Sequence, residues 1–267
     1  MLSMVFGQIC PEICYSKVIK DLLRSFYIQR PSRALIPPSW DLLKVLESLR
    51  SSPFEPLGSC DFRSLTKKVL FLLALATAKR VGELQAISAK VAFLKKDRLL
   101  SYIPEFVAKT ESLSNPIPRF FTLKSLSEFV GDLKEELLLC PVRALDIYLK
   151  RTSPIPGRPR SLFVSPKRRS RALSKNAISY FLREVISGAG ALVANEGPLP
   201  KAHSIRSVAT SVAFHRNWSV AKVLEAATWR SSSVFTSFYL RDVAATLGDL
   251  SSLGPIVSAG QVVAPTE

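Results

Sequence analysis

A chain of 267 residues, 47% of them hydrophobic, can bury a sizeable core, which excludes a disordered tail. Its 37 Lys and Arg against 21 Asp and Glu leave a formal charge of +16, more than solubility requires, so the natural partner class is a polyanion. The cysteines at 10, 14, 60 and 140 show no C-x-x-C spacing and have no histidine nearby, so they read as reduced thiols rather than zinc ligands or a disulfide framework.

The opening MLSMVFGQICPEIC has no basic n-region, so no secretory leader is expected. Val18, Ile19, Leu22, Leu23 and Phe26 share a face and predict a helix over 15–28. It is followed by the basic connector RPSRALIPP; residues 1–35 are too few for an independent domain. Ser39 is expected to cap the next helix, with Asp41 in its first turn and Leu42, Leu43, Leu46 and Leu49 as its apolar stripe. A helix over 65–79 carries VLFLLALATA, fenced by Lys67, Lys68, Lys79 and Arg80. That run is about 15 Å long as a helix. A bilayer takes roughly 20 residues, so the run predicts a buried core helix and no membrane span. A short helix over 81–87 follows.

Between 92 and 124 the texture turns β-prone: LLSYIP, EFVAK and PRFFTLK predict a small antiparallel sheet with a loop over 109–116. Pro141 suits the first turn of a helix reaching about 151. A Pro/Gly/Arg connector over 153–160, a short strand LFVS and the basic run PKRRSR come next. Helices are then expected over 174–187, 203–216, 219–227 and 233–241, with caps at Ser174, Ser219 and Ser231 to Ser233. The expected fold class is mainly α with one small antiparallel sheet, as a single domain over 36–250 with a tail over 251–267.

Three segments carry candidate chemistry. In KAHSIRSVATSV, His203 and Arg206 stand at i and i+3, about 5 to 6 Å apart on one helical face, so both can address one oxygen-rich group such as a phosphate. Taken alone, the pair reads first as an exposed basic first turn. Arg80 ends the most apolar helix, where a cation ordinarily compensates the helix dipole, yet Glu83 at i+3 could orient its guanidinium as a bidentate phosphate clamp. Trp229 and Tyr239 in AATWRSSSVFTSFYLRDV read singly as core aromatics.

Taken in chain order, Arg80, Lys109, His203-x-x-Arg206, Trp229 and Tyr239 resemble the active-site series of the tyrosine recombinase (phage integrase) family. The resemblance spans roughly 65–243. It is closest to the recombinases of DIRS-type retrotransposons in LFLLALATAKRVGELQAIS, CPVRALDIYLKRT, AHSIRSVATSVAF and EAATWRSSSVFTSFYLRDV. It implies the catalytic-domain fold of that family and assigns Tyr239 as nucleophile. It also implies that Arg80 and Arg206 clamp the non-bridging phosphate oxygens, and that His203 and Trp229 hydrogen-bond the same group. Lys109 would protonate the leaving 5′ oxygen, although Lys95, Lys96 and Lys124 lie in the same β-rich region. Glu83 would support the arginines.

A tyrosine hydroxyl, with a pKa near 10, is only about one part in a thousand ionised at neutral pH, so its attack needs a base or strong electrostatic help. Two arginines and a lysine can neutralise the charge that develops on a phosphorane, so the expected reaction needs neither a metal nor a small-molecule cofactor. Arg158, Arg160, Lys167, Arg168, Arg169 and Arg171 crowd one connector and are expected to grip the phosphate backbone of double-stranded DNA. PKRRSR also reads as a nuclear localisation patch, so the expected location is the nucleus in a eukaryotic host and otherwise the cytoplasm. The resemblance further implies a homo-oligomer on DNA and a role in integrating a mobile element.

Family members carry an N-terminal core-binding domain longer than residues 1–50, so the chain is expected to be a fragment or to lack that half. A catalytically inactive DNA-binding remnant is the competing reading. A type IB topoisomerase shares the chemistry but matches the quoted segments less closely, and no carboxylate triad points to a metal-dependent integrase.

Overall fold

The computed structural model describes residues 40–109, 111–112, 116–128, 137–192, 200–215, 219–227, 236 and 239–241. The helix expected over 15–28, Ser39, Trp229, the Ser231 to Ser233 cap, most of the helix over 233–241 and the tail over 251–267 lie outside them.

The first described helix, α1 (Leu42–Leu49), is capped by Asp41 rather than Ser39. The Asp41 backbone is extended, and its carboxylate accepts from the N–H groups of Leu43 at 2.9 Å and Lys44 at 3.4 Å. Helix α2 (Phe62–Thr77) starts three residues earlier than its apolar run predicts. Asp61 accepts from the amides of Arg63 and Ser64 at 2.8 and 3.0 Å, so the cap sets the boundary. Apolar on nearly every face, α2 is buried along almost its whole length and packs against the later helices Pro141–Thr152, Lys175–Gly188 and Ser204–His215 and the strand Phe120–Leu123.

One lysine is buried in that core. Lys68, fully inaccessible, donates to the Leu49 carbonyl at 2.6 Å and to Glu55 Oε1 at 2.5 Å, and Arg143 holds the same carboxylate at 2.7 and 3.1 Å. Those contacts keep Glu55 below its ordinary pKa despite its burial.

α2 stops at Ala78, which is buried with φ 49°, in the left-handed region. A non-glycine residue there costs roughly 1 kcal/mol, and the core packing of α2 holds it in place. The chain then enters α3 (Val81–Gln85) through Arg80, whose backbone is extended.

The sheet is antiparallel, in the order β1 (Ala92–Leu94), β2 (Asp97–Ser101), β3 (Phe120–Leu123). Leu94 pairs with Asp97 across a two-residue turn, Lys95–Lys96, in which Lys95 has φ 51°. EFVAK is not a strand, contrary to the pattern of its side chains. Pro104 has no N–H to extend the ladder, Phe106 folds back to donate to the Ile103 carbonyl at 3.1 Å, and the Ala108 amide is taken by Glu111 at 2.9 Å. LFVS likewise contributes only a single bridge, Val164 with Ala172.

Four further helices complete the described fold: α4 (Pro141–Thr152), α5 (Lys175–Gly188), α6 (Ser204–His215) and α7 (Val220–Ala226). Pro141 sits in the first turn of α4, and Ser174 and Ser219 cap α5 and α7 as their spacing predicts. The molecule is therefore mainly helical with one three-stranded antiparallel sheet. Among the described residues no helix is long and apolar enough to cross a membrane. Two ties set the frame of the site. Tyr148 on α4 stacks on Phe62, with ring centroids 5.5 Å apart, and its hydroxyl accepts from the Val164 amide at 3.0 Å. Trp40 Nε1 donates to Ser204 Oγ at 2.8 Å, which pins the start of α6 to the segment before α1.

Candidate active site

The C-terminal end of α2, the start of α3 and the start of α6 meet at a cavity of about 350 Å³. Arg80, His203, Arg206 and Tyr239, from widely separated parts of the chain, all line it, and so does Lys79.

Arg206 is set deepest. Its side chain is 2% exposed because α6 is buried over most of its length. It donates to the Ala227 carbonyl at the end of α7, lies 3.7 Å from Glu83 Oε2, and places its guanidinium carbon 5.8 Å from the centre of the Tyr239 ring. Burial, and then the neighbouring Arg80 charge, pull its pKa down to about 10, against the opposing pull of Glu83. It stays a cation at neutral pH.

Glu83 orients both arginines. Its side chain is 4% exposed. Oε2 accepts from the Arg80 backbone N–H at 2.7 Å, and Oε1 takes Arg80 Nη1 at 3.2 Å. The i+3 spacing therefore does what the sequence allows: the carboxylate closes the start of α3 and fixes one guanidinium at the cavity edge while its other oxygen faces the second.

His203 is not on the helix with Arg206. It stands one residue before α6, in a turn where its carbonyl accepts from Ser207 at 3.4 Å, and its ring is exposed at the mouth. The expected shared helical face is replaced by a shared cavity, with the histidine at the rim and the arginine inside. Partial loss of water around the ring, with the charges of Lys201 and Arg241, lowers its pKa below the ordinary histidine value.

Tyr239 is half-buried and is held through its backbone. Ser211 Oγ, on α6, donates to the Tyr239 carbonyl at 3.1 Å and accepts from the Arg241 N–H at 2.9 Å. The helix that carries Arg206 thus also sets the position of the tyrosine segment. Ser211 was not legible as a site residue, because a serine on a buried helix has no signal of its own.

The remaining sequence candidates are placed as follows. Lys109 is exposed in the loop between β2 and β3 and does not line the cavity. Lys124 pairs with Asp97 at 2.7 Å. Lys167, Arg168, Arg169 and Arg171 lie exposed on a tight loop closed by the Ser165 amide on the Arg171 carbonyl, and the Arg169 guanidinium sits 4.5 Å over the Phe62 ring. Arg160 is exposed and pairs with Glu105 at 2.8 Å. Arg158 turns inward, donating to the Leu162 carbonyl at 3.3 Å, and burial lowers its pKa. Lys175, which sequence reading passed over, opens α5 beside α3, its Cε 3.6 Å from where a Cβ on Gly82 would stand.

No protein-family model and no curated protein matches the chain. Among solved structures, it is similar to a dimer of lambda integrase residues 75–356 bound to a COC′ core site, at 16% identity and a TM-score of 0.44, over 80% of this chain and 61% of that one. A lambda integrase dimer bound to a COC′ core site gives 18% identity and a TM-score of 0.46 over 79% and 50%. A lambda integrase tetramer bound to a Holliday junction gives 16% and 0.44 over 86% and 57%. The chain thus spans between half and about three fifths of the length of these integrase chains, and at such scores the likeness assigns no residue a role.

Proposed function

We infer that the chain cleaves and rejoins DNA strands through a 3′-phosphotyrosyl link, as a tyrosine recombinase catalytic domain over 36–250. The observation that carries this is the cavity in which Arg80, His203, Arg206 and Tyr239 converge. Two guanidiniums on one carboxylate, with a tyrosine ring beside one of them, form a receptor for a phosphodiester whose charge rises from one to two in the five-coordinate transition state. The formal charge of +16 makes a nucleic-acid backbone the natural source of that phosphate.

In this reading Tyr239 Oη attacks the scissile phosphorus. Arg80 and Arg206 neutralise the charge that develops on the non-bridging oxygens. His203 hydrogen-bonds the same group from the rim, and Trp229 does so from the segment outside the described residues. Its lowered pKa leaves the His203 imidazole neutral at pH 7, able to take up the phenolic proton. The P–O5′ bond breaks, the leaving oxygen takes a proton, and the bond energy is kept in the phosphotyrosyl ester for a second DNA end to reverse the step. The exposed Lys167, Arg168, Arg169 and Arg171 would position the duplex without reading bases. The sequence segments favour an enzyme of a DIRS-type mobile element that acts in the nucleus as a homo-oligomer on DNA.

The test is a covalent adduct. A randomised pool of nicked duplexes, incubated with the protein in EDTA, should yield a protein–DNA species stable to detergent and absent with Tyr239→Phe. Duplex binding without any adduct across the pool would overturn the enzymatic reading and leave a DNA-binding remnant.

A further inference from the structure

A buried phenol stands behind the arginine clamp. Tyr102 directly follows β2 and bridges to Ile87, just past α3. Its backbone is fixed from both sides: the Ser88 N–H donates to the Ser101 carbonyl at 2.7 Å, and the Ile103 N–H to the Ala86 carbonyl at 2.8 Å. The phenol is thereby tied to the end of the helix that carries Glu83. Its ring packs against Phe106 and Phe121, with centroids 4.9 and 5.5 Å away, and Phe121 in turn lies 5.0 Å from the ammonium of Lys79 in the cavity wall. Tyr102 is 7% exposed and does not line the cavity, yet among the described residues its hydroxyl has no hydrogen-bond partner. Tyr148 shows how a structural buried tyrosine is held: its hydroxyl accepts from the Val164 amide at 3.0 Å. An unpaired buried hydroxyl destabilises the resting fold, and a phenylalanine would fill the same space without that loss. The ionisable groups that act on the Tyr102 hydroxyl are Glu83 and Arg206. Burial first, and then the Glu83 charge, raise its pKa well above the ordinary tyrosine value against the pull of Arg206, so at neutral pH it is a donor.

We propose that Tyr102 is a positioning residue of the clamp, whose hydroxyl donates to the Glu83 carboxylate once a phosphate draws the two guanidiniums away from it; the proposal rests on the phosphotyrosyl reading above. In the free protein Glu83 is shared. Arg80 Nη1 lies 3.2 Å from Oε1 and Arg206 Nη1 3.7 Å from Oε2, while the Arg80 backbone N–H, 2.7 Å from Oε2, is fixed by the start of α3. Only the side-chain contacts can pass to a substrate. A carboxylate that is 4% exposed and loses them needs another donor, because its charge is otherwise left short of hydrogen bonds inside the protein. Tyr102 supplies one from the end of the neighbouring strand. That hydrogen bond forms as the phosphate gains charge, so it favours the transition state over the bound duplex.

Tyr102→Phe removes the hydroxyl and keeps the ring, so it separates a positioning role from packing. The randomised pool of nicked duplexes is cleaved in single turnover at saturating protein by the wild type, Tyr102→Phe, Glu83→Gln and the double variant, with duplex affinity and urea unfolding measured alongside. Tyr102→Phe should cleave about 10- to 100-fold more slowly than the wild type, the contribution of one hydrogen bond to a charged group. Its duplex affinity should stay within about twofold of the wild type, and its urea midpoint should equal or exceed the wild type's. In the Glu83→Gln background the same substitution should change cleavage by less than about threefold, because the carboxylate it serves is gone. Cleavage by Tyr102→Phe within about twofold of the wild type, an undiminished loss in the Glu83→Gln background, or a lowered urea midpoint would each overturn the proposal. A wild type that forms no adduct would overturn the phosphotyrosyl reading itself, and the proposal with it.

Discussion

Helix α2 carries a buried charge cluster near each end, and the two are built on opposite plans. Toward its start, Lys68 and Arg143 converge on Glu55, and the lysine also reaches a backbone carbonyl; every strong donor there has an acceptor of the protein's own. At its finish, Lys79, Arg80 and Arg206 gather near one carboxylate among the described residues, Glu83, beside an open cavity. The first cluster is closed and holds the loop before α2 to α4. The second sets three cations near one carboxylate among the described residues and opens onto the cavity. Burial by itself does not distinguish the two clusters; what differs among the described residues is the number of cations that share each carboxylate and the cavity beside the second.

Removing the carboxylate at each end should sharpen that contrast. Glu55→Gln leaves a fully buried ammonium without its anion, so stability should fall by about 3 kcal/mol in urea unfolding while adduct yield per folded molecule stays at the wild-type level. Glu83→Gln should do the reverse in emphasis: cleavage should slow by about 10²-fold as both guanidiniums lose their alignment, with duplex affinity little changed. Equal effects of the two variants on cleavage would break the comparison.

A smaller effect is expected from Ser211→Ala, which cuts the tie between α6 and the tyrosine segment. Cleavage should slow by about tenfold and stability fall by about 1 kcal/mol, while Lys68 and its partners are untouched. The smallest effect concerns His203. Its folded pKa lies below the ordinary 6.5, so the unfolded chain binds a proton first as pH falls. The associated stability is fully present above about pH 6.5 and is lost as pH drops through the lower folded value. In His203→Gln that slight slope in a pH series of melting temperatures should vanish, and the Glu55 cluster, which titrates in a lower range, should be unaffected.

Much of the fold was legible because it rests on local signals. VLFLLALATA could only be a buried helix, and Ser174, Pro141 and Ser219 mark helix starts by their own backbone chemistry. Misreadings arose where two local signals competed. EFVAK has strand-like side chains, but Pro104 denies the ladder a donor. Asp41 and Asp61 cap helices whose apolar stripes begin at or beyond the cap, so the carboxylate rather than the stripe sets the boundary. His203 and Arg206 have helical spacing, yet the helix starts at Ser204, between them.

The sequence by itself determined the inventory: a helical, strongly basic chain with an arginine and a glutamate behind its most apolar helix, an H-x-x-R and a late tyrosine. Such features are properties of single segments, fixed by side-chain type and spacing. Only the tertiary structure decided which cations share a cavity. Lys79 and Lys109 are both lysines beside plausible segment ends, and nothing local distinguishes them. The left-handed turn at Ala78 and the packing of α2 against β3 and α6 bring one into the cavity with Arg80, Arg206 and Tyr239, while the loop after Pro104 leaves the other in water. The direction of a side chain depends on the backbone it rides on, and here the core held that backbone.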